Sequence, residues 1–536
     1  MKLKENYANT GRLIKFILRR ERVVSALWIA ILASFCVAIA PGMAEMFDAP
    51  ARQALAESMK NPAMVAMMGP VYGAEDFTNG AMYSNTMVIW VIITVAAMNI
   101  FLIVRHTRSD EEGNRAEVVR SLPVGRLAAL NASMFSAAVV NAVLAALIAA
   151  GLTLVNVEGI GFAGSALLGL AIFSSGMFFA ALAALFSQLS SSARGASALS
   201  FLCVGIFYMM RAAGDMDGNN EIVSLISPLG LILRSRFYTQ NLVWPSLVLL
   251  AMTAAVSVAA CLLNSVRDIG RGFFPARPGR PQASFLLKTS FGLSLRLTRN
   301  TVIAWFVIMF ALGASYGSIL GDIENFIAQS EFYQVIIGVH EDFSYDEMFV
   351  TMINSTMSVV ALIPLLIIAF RPRAEERDER AENVLSRSVS RKKFLAGYAA
   401  IAFVCGALMQ FATGAGLYLA SAVVLDEPIS FAFLMKAIFA YLPAVFAMVG
   451  LAVFLVGAAP KLCGAAWVFF GYVFFMVMLG RAMNLPAFAD WIVPFAHIPQ
   501  LPVDEIAFAP LLVLTLIAAA LTAAGFVFYS RRDVAA

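Results

Sequence analysis

Charge is scarce in these 536 residues: Asp, Glu, Lys and Arg make up 13% against 60% apolar, far from the proportions of a soluble domain. Only three histidines occur, His106, His340 and His497. The five cysteines (Cys36, Cys203, Cys261, Cys405 and Cys463) stand singly in or beside apolar runs, a spacing that argues against a metal centre and against a disulfide framework. No G-x-x-x-x-G-K-S/T phosphate loop is present, and no polar stretch is long enough for a nucleotide-binding domain. The chain therefore has no means of hydrolysing ATP by itself, and no catalytic residue is assigned. Carboxylates are missing from the interiors of the apolar runs, where a proton-coupled pump would place one. Lys436, Arg211 and Arg481 lie near run ends and read as snorkelling cations.

What is abundant is apolar sequence in runs of about 20 residues, each able to cross a hydrocarbon layer of about 30 Å. The fold class is an all-α polytopic membrane protein of about twelve spans. Windows and their breakers place these near 23–41, 85–104, 127–152, 162–187, 195–212 and 243–265, then 300–320, 351–370, 394–424, 431–458, 464–482 and 508–529. The first run lacks a small-residue cleavage site and reads as a retained span ending at Pro41-Gly42. Of 38 Lys and Arg, 31 fall on the side of the N-terminus. The opposite loops are acidic, as in Asp322, Glu324, Glu331, Glu341, Asp342, Asp346 and Glu347. Both termini and the basic loops are therefore expected in the cytoplasm. The formal net charge of +4 is a topology signal and not a sign of nucleic acid.

Two cytoplasmic segments match each other. The first reads RHTRSDEEGNRAEVVRSLPVGR (105–126) and the second RPRAEERDERAENVLSRSVSR (371–391). At a shift of 265, Arg108, Glu111, Arg115, Ala116, Glu117, Val119, Ser121, Val124 and Arg126 fall on Arg373, Glu376, Arg380, Ala381, Glu382, Val384, Ser386, Val389 and Arg391. Weaker echoes pair Thr86-Met87 with Thr356-Met357, Arg22 and Trp28 with Arg299 and Trp305, and Pro228 with Pro494. Six spans followed by six in the same orientation imply a parallel duplication about an axis along the membrane normal, with a pathway between the halves. The expected divisions are a cytoplasmic amphipathic elbow (1–22), a first six-helix half (23–265), a linker with a second elbow (266–299) and a second half (300–536). Glu111 with Arg115, and Glu376 with Arg380, are spaced for i,i+4 ion pairs on a solvated helix. A solvated juxtamembrane helix needs only generic polarity, so two copies with the same R-A-E and trailing Arg point to two equivalent docking surfaces.

Together with the opening LIKFILRRERVVSALW (13–28) and the outer-loop phrase NPAMVAMMGPVYG (61–73), the first of these segments resembles permease subunits of ABC exporters of the polyketide-antibiotic, or tetronasin-resistance, type. The likeness runs over essentially the whole chain. The second copy departs from it, with Ser388 and Ser390 where the first has Pro123 and Gly125. The resemblance implies a bacterial inner-membrane permease energised by two copies of a separately encoded ATPase, which would hold the ATP and Mg; no cofactor is expected in this chain. It implies coupling elements at 109–122 and 374–387, carried by Glu111, Arg115, Glu117, Arg120, Glu376, Arg380, Glu382 and Arg387. It implies an elbow over Arg12–Arg22 along the inner leaflet and short outer hairpins at 219–240 and 486–507, for which a plain outer loop is an equal reading.

Spans two and five of each half would line the substrate path, giving Trp90, Thr94, Met98, Phe201, Phe207 and Tyr208, with Thr356, Phe470, Tyr472 and Phe475. Aromatic and Met-rich linings suit large amphipathic ligands because they repack around different shapes. Helix packing or lipid contact is the competing reading for each. The leading function is ATP-driven export of a hydrophobic small molecule, plausibly an antibiotic or drug. Export of a lipid or lipopeptide, an ion-coupled secondary transporter, and a non-transporting membrane partner are the alternatives.

Overall fold

Long runs of Ala, Leu, Val and Phe have to satisfy their backbone groups internally once water is excluded, and the helix does so without a partner strand. The computed structural model accordingly consists of helices joined by short turns. It describes residues 3–533 apart from 217–220, 269, 275–280, 321–344, 426–428, 481–489, 500 and 502–506. The chain divides into two compact units, Met1–Pro278 and Gly279–Ala536.

The first unit contains α1 (Thr10–Met46), α2 (Ala49–Ser58), α3 (Pro62–Met68), α4 (Asn79–His106), α5 (Arg108–Glu112), α6 (Arg115–Arg120), α7 (Ala128–Leu154), α8 (Phe162–Leu189), α9 (Ala193–Met216), α10 (Glu221–Ile226), α11 (Pro228–Leu233) and α12 (Trp244–Val266). The second contains α13 (Ser290–Gly317), α14 (Tyr345–Val360), α15 (Leu362–Ala369), α16 (Arg371–Arg377), α17 (Arg380–Leu385), α18 (Arg391–Val424), α19 (Phe431–Phe439), α20 (Leu442–Ala458), α21 (Ala465–Leu479) and α22 (Phe508–Arg531). Among the described residues, eleven helices are long and apolar enough to cross a bilayer. The expected span at 464–482 appears as α21, whose 15 described residues fall short of a crossing by themselves. This is an all-α, multi-pass membrane protein.

In the first unit α4 and α8 are enclosed, while α1, α9 and α12 turn apolar side chains outward, as Leu27, Ile31 and Phe35 do at helical spacing on α1. Such outward apolar stripes are the lipid-facing surface of a membrane protein. Small residues let helices close up. A Cβ at Gly416 would lie 2.1 Å from the Phe310 carbonyl, and one at Gly313 would lie 2.2 Å from that of Thr413, so α13 and α18 approach nearly backbone to backbone. The eighth span is interrupted between α14 and α15, just before Pro364, whose missing N–H removes one rung of the ladder.

Two expectations change here. Residues 3–22 hold a short helix, Leu3–Asn6, and the start of α1, which runs unbroken for 37 residues from Thr10 through the first span because nothing before Pro41 breaks it. That proline does not end it either, and the helix continues to Met46. The outer segment 219–240 is not a plain loop, since every residue of α11 from Pro228 to Leu233 is buried. Ser227 Oγ donates to the Phe207 carbonyl at 2.7 Å and Ser84 Oγ to that of Phe237 at 3.2 Å, anchoring the segment to α9 and α4. In the second unit Pro494 opens a single 3-10 turn to His497, with Phe495 stacked on Tyr441; much of 486–507, like Arg481 and all of 322–342, lies outside the described residues.

Candidate functional site

The segment after the second span is two short helices rather than one. Gly113 closes α5, and Asn114 at φ 56 turns the chain into α6; Asn is among the few residues that visit this left-handed region readily. At a distance of 265 residues, Glu379 at φ 57 makes the same turn between α16 and α17. The backbone bonds repeat as well. Ser121 N–H to Glu117 O, Leu122 N–H to Val119 O and Val124 N–H to Leu122 O recur as Ser386 to Glu382, Arg387 to Val384 and Val389 to Arg387.

This turn overturns the expected i,i+4 pairs. With the helix broken between positions 111 and 115, Glu111 does not meet Arg115, and Glu376 does not meet Arg380. Arg115 Nε instead donates to Asp110 at 2.7 Å, and Arg380 Nε donates to Glu375 at 2.8 Å, the same pair one repeat later. Glu111 turns inward to Arg108 at 2.6 Å and to Arg267, just past the end of α12, at 2.9 Å. Glu376 likewise reaches Arg532, just past the end of α22, at 2.5 Å, and accepts the Tyr529 hydroxyl at 2.6 Å. Positions 267 and 532 are again 265 apart. Arg126 donates to the carbonyl of Arg267 at 2.8 Å, and Arg391 to that of Arg532 at 2.5 Å. Each half thus clasps its short helix pair to the C-terminal end of its last span. Nothing local in sequence announced these partners, although the shift of 265 reaches them.

The loss of Pro123 and Gly125 in the second copy leaves the turn intact. In the first, Gly125 N–H donates to Ala8 O, and a Cβ at Gly125 would lie 2.3 Å from the Asn6 backbone, so the close approach of the short N-terminal helix Leu3–Asn6 and the turn after it demands glycine. In the second, Ser390 caps α18 by accepting from Lys393 N–H at 3.3 Å. After these internal pairings, Glu117 and Glu382 remain exposed, and neither makes an ion pair among the described residues. Val118, 71% exposed, and Leu122 stand beside the first, and Asn383 and Arg387 beside the second. Arg120 is half-buried behind α6.

The candidate path residues separate into two groups. Trp90, Thr94 and Phe101 form the one stripe of α4 that its unit leaves open, and Phe101 meets Phe201 of α9 at 5.4 Å between ring centroids. Phe207 packs on Phe178 at 6.2 Å, and Tyr208 donates its hydroxyl to the Met67 carbonyl at 2.9 Å. Met98 and Thr356 are buried in the packing of their own units. Phe475 is exposed, while Phe470 and Tyr472 are half-buried on α21.

Polar groups inside the membrane-embedded part went unread in the sequence. Arg211 is fully buried and does not snorkel: it donates to the carbonyls of Val65, Ala66 and Met67 at 3.1, 2.7 and 3.2 Å, satisfying the end of α3. Lys436 is exposed. Glu21 on α1 is buried against His106 at 2.8 Å. Asn99 and Asn141 exchange two amide hydrogen bonds, at 3.0 and 2.7 Å, with both side chains fully enclosed between α4 and α7.

Known proteins place this arrangement. The family model described as "Multidrug efflux system permease Rv1217c, C-terminal domain" matches residues 14–264 and 287–530. The protein named multidrug efflux system permease protein Rv1217c, from Mycobacterium tuberculosis, is 32% identical over 98% of this chain and 96% of its own length. On the breadth of both matches, the chain belongs to the Rv1217c family of multidrug efflux permeases.

Proposed function

We propose that the chain is the membrane subunit of an ABC exporter of the polyketide-antibiotic or tetronasin-resistance type, moving hydrophobic or amphipathic small molecules out of a bacterial cell. Power comes from two copies of a separate ATPase, which hold the ATP and Mg. Each copy docks on one short helix pair, the first on 109–122 and the second on 374–387, with the termini on the cytoplasmic face of the inner membrane. The observation that carries this reading is the clasped helix pair repeated at a shift of 265, whose inward carboxylates are consumed by the fold while Glu117 and Glu382 stay exposed and make no ion pair among the described residues. A merely solvated loop has no reason to repeat both the clasp and the free carboxylate. The stripe of Trp90 and Thr94 with Phe201, and the α21 aromatics, are the proposed path lining.

The ATPase encoded beside this chain provides the test. Co-purification with it is expected for the native chain and lost in Glu117→Arg with Glu382→Arg, along with ATP-dependent drug efflux. Intact efflux in that double variant would overturn the docking assignment.

A further inference from the structure

Behind the first helix pair lies a cavity of about 300 Å³. Its walls are the cytoplasm-directed ends of several spans. Leu13, Phe16 and Ile17 of α1 supply apolar lining, and Arg20, Asp110, Arg115 and Arg120 supply charged lining.

The charges around it do not balance. Asp110 is shared by Arg20 and Arg115, and Glu111 is shared by Arg108 and Arg267. Glu21 is shared by Arg105 and His106. Arg120 makes no ion pair among the described residues, and burial lowers its pKa from the ordinary guanidinium value. In the second half Glu375, Glu376 and Asp378 are shared by Arg371, Arg377, Arg380 and Arg532, so each of these four guanidinium groups has a carboxylate partner. Position 120 becomes Leu385 at the repeat shift, and the echo of Arg22 with Arg299 places Leu297 opposite Arg20. A partly dry site with surplus guanidinium groups and one greasy wall is complementary to an anion attached to hydrocarbon.

We propose that this cavity binds the phosphate headgroup of an anionic phospholipid from the adjoining leaflet, with Arg120 as its principal contact and Leu13, Phe16 and Ile17 along the first carbons of its acyl chains. Phe16 is 54% exposed, so the chains have an apolar exit toward lipid. The inference needs only a membrane protein and stands apart from the ATPase reading.

The test uses the full-length chain in detergent, stripped of lipid and titrated with dioctanoyl phosphatidylglycerol, following thermal stability and lipid retention by native mass spectrometry. Saturable binding is expected, weakened at least about tenfold in Arg120→Leu and largely kept in Arg120→Lys. Arg120→Lys also guards against a folding defect, since both variants must first show the native elution profile, and Arg120→Gln replaces the leucine variant if that one fails. Equal binding of dioctanoyl phosphatidylcholine would overturn the proposal, as would unchanged affinity in the charge-removing variant. Glycerol phosphate binding as tightly as the lipid would assign the site to a soluble phosphate and overturn the lipid source. Protection of the cavity by the ATPase alone, with no lipid retained, would make it a protein contact instead.

Discussion

The two halves share a backbone device and differ in what surrounds it. Both turn at a left-handed residue, both pair the carboxylate at 110 or 375 with the arginine at 115 or 380, and both clasp 111 or 376 to the arginine beyond the last span. The first half encloses this device more deeply. Arg108 and Arg267 have side chains only 1% and 4% exposed, and one carboxylate serves both, whereas Arg532 is 20% exposed and shares Glu376 with a neutral phenol. Duplication preserved the connection that positions the helix pair and left its setting free to diverge. The clasp is therefore the part the two halves share, and its surroundings are local solutions.

The largest expected difference lies at the clasp itself. Glu111→Gln strands two buried guanidinium groups and is expected to cost about 3–5 kcal/mol, whereas Glu376→Gln strands one that solvent reaches and costs about 1–3 kcal/mol. Denaturant unfolding in micelles measures both, and equal losses would show that burial does not distinguish the halves. Next comes an exchange at the departing positions. Gly125→Ser forces a side chain into the Asn6 backbone and is expected to cost about 1–3 kcal/mol and to release residues 5–8 to hydrogen exchange. Ser390→Ala loses only a cap, worth about 1 kcal/mol, with no such release. Smallest is the membrane-buried polar pair. Asn141→Leu breaks the reciprocal bonds with Asn99 and is expected to cost about 1–2 kcal/mol, while Gln410→Leu, which loses the single bond to Ser358, costs about 0.5 kcal/mol. A reversed order in thermal melts would place the stabilising polar pair in the second half.

The spans were legible because hydropathy and length alone decide them, and each described spanning helix covers nearly all of its apolar run, although those over 23–41 and 300–320 begin 13 and 10 residues earlier. The repeat was legible as well, since nine identities survive at one shift. What escaped was anything set by a turn or by distant partners. The E-G-N of 112–114 carried a turn signal that breaks the i,i+4 pairing, but the D-E at 378–379 carries none, and Glu379 is held left-handed by the surrounding bonds. Arg267 and Arg532 lie 156 residues beyond the carboxylates they clasp, a separation no helical periodicity can reach. Arg211 looked like a span-end cation because sequence shows its position along the helix and not the open carbonyls of α3 beside it. The candidate path was legible only as a set of spans: Trp90 stands on an open stripe while Met98 on the same helix is packed away, a distinction made by neighbours and not by residue type.

Whether both helix pairs serve one engine turns on the side of the membrane they occupy. In a chain with its five cysteines replaced, Glu117→Cys and Glu382→Cys introduced one at a time should each react with a membrane-impermeant maleimide in inside-out vesicles and stay unlabelled in intact cells. Labelling of either position from outside the cell would mean that the two carboxylates face opposite compartments, and the duplicated docking surface would be refuted.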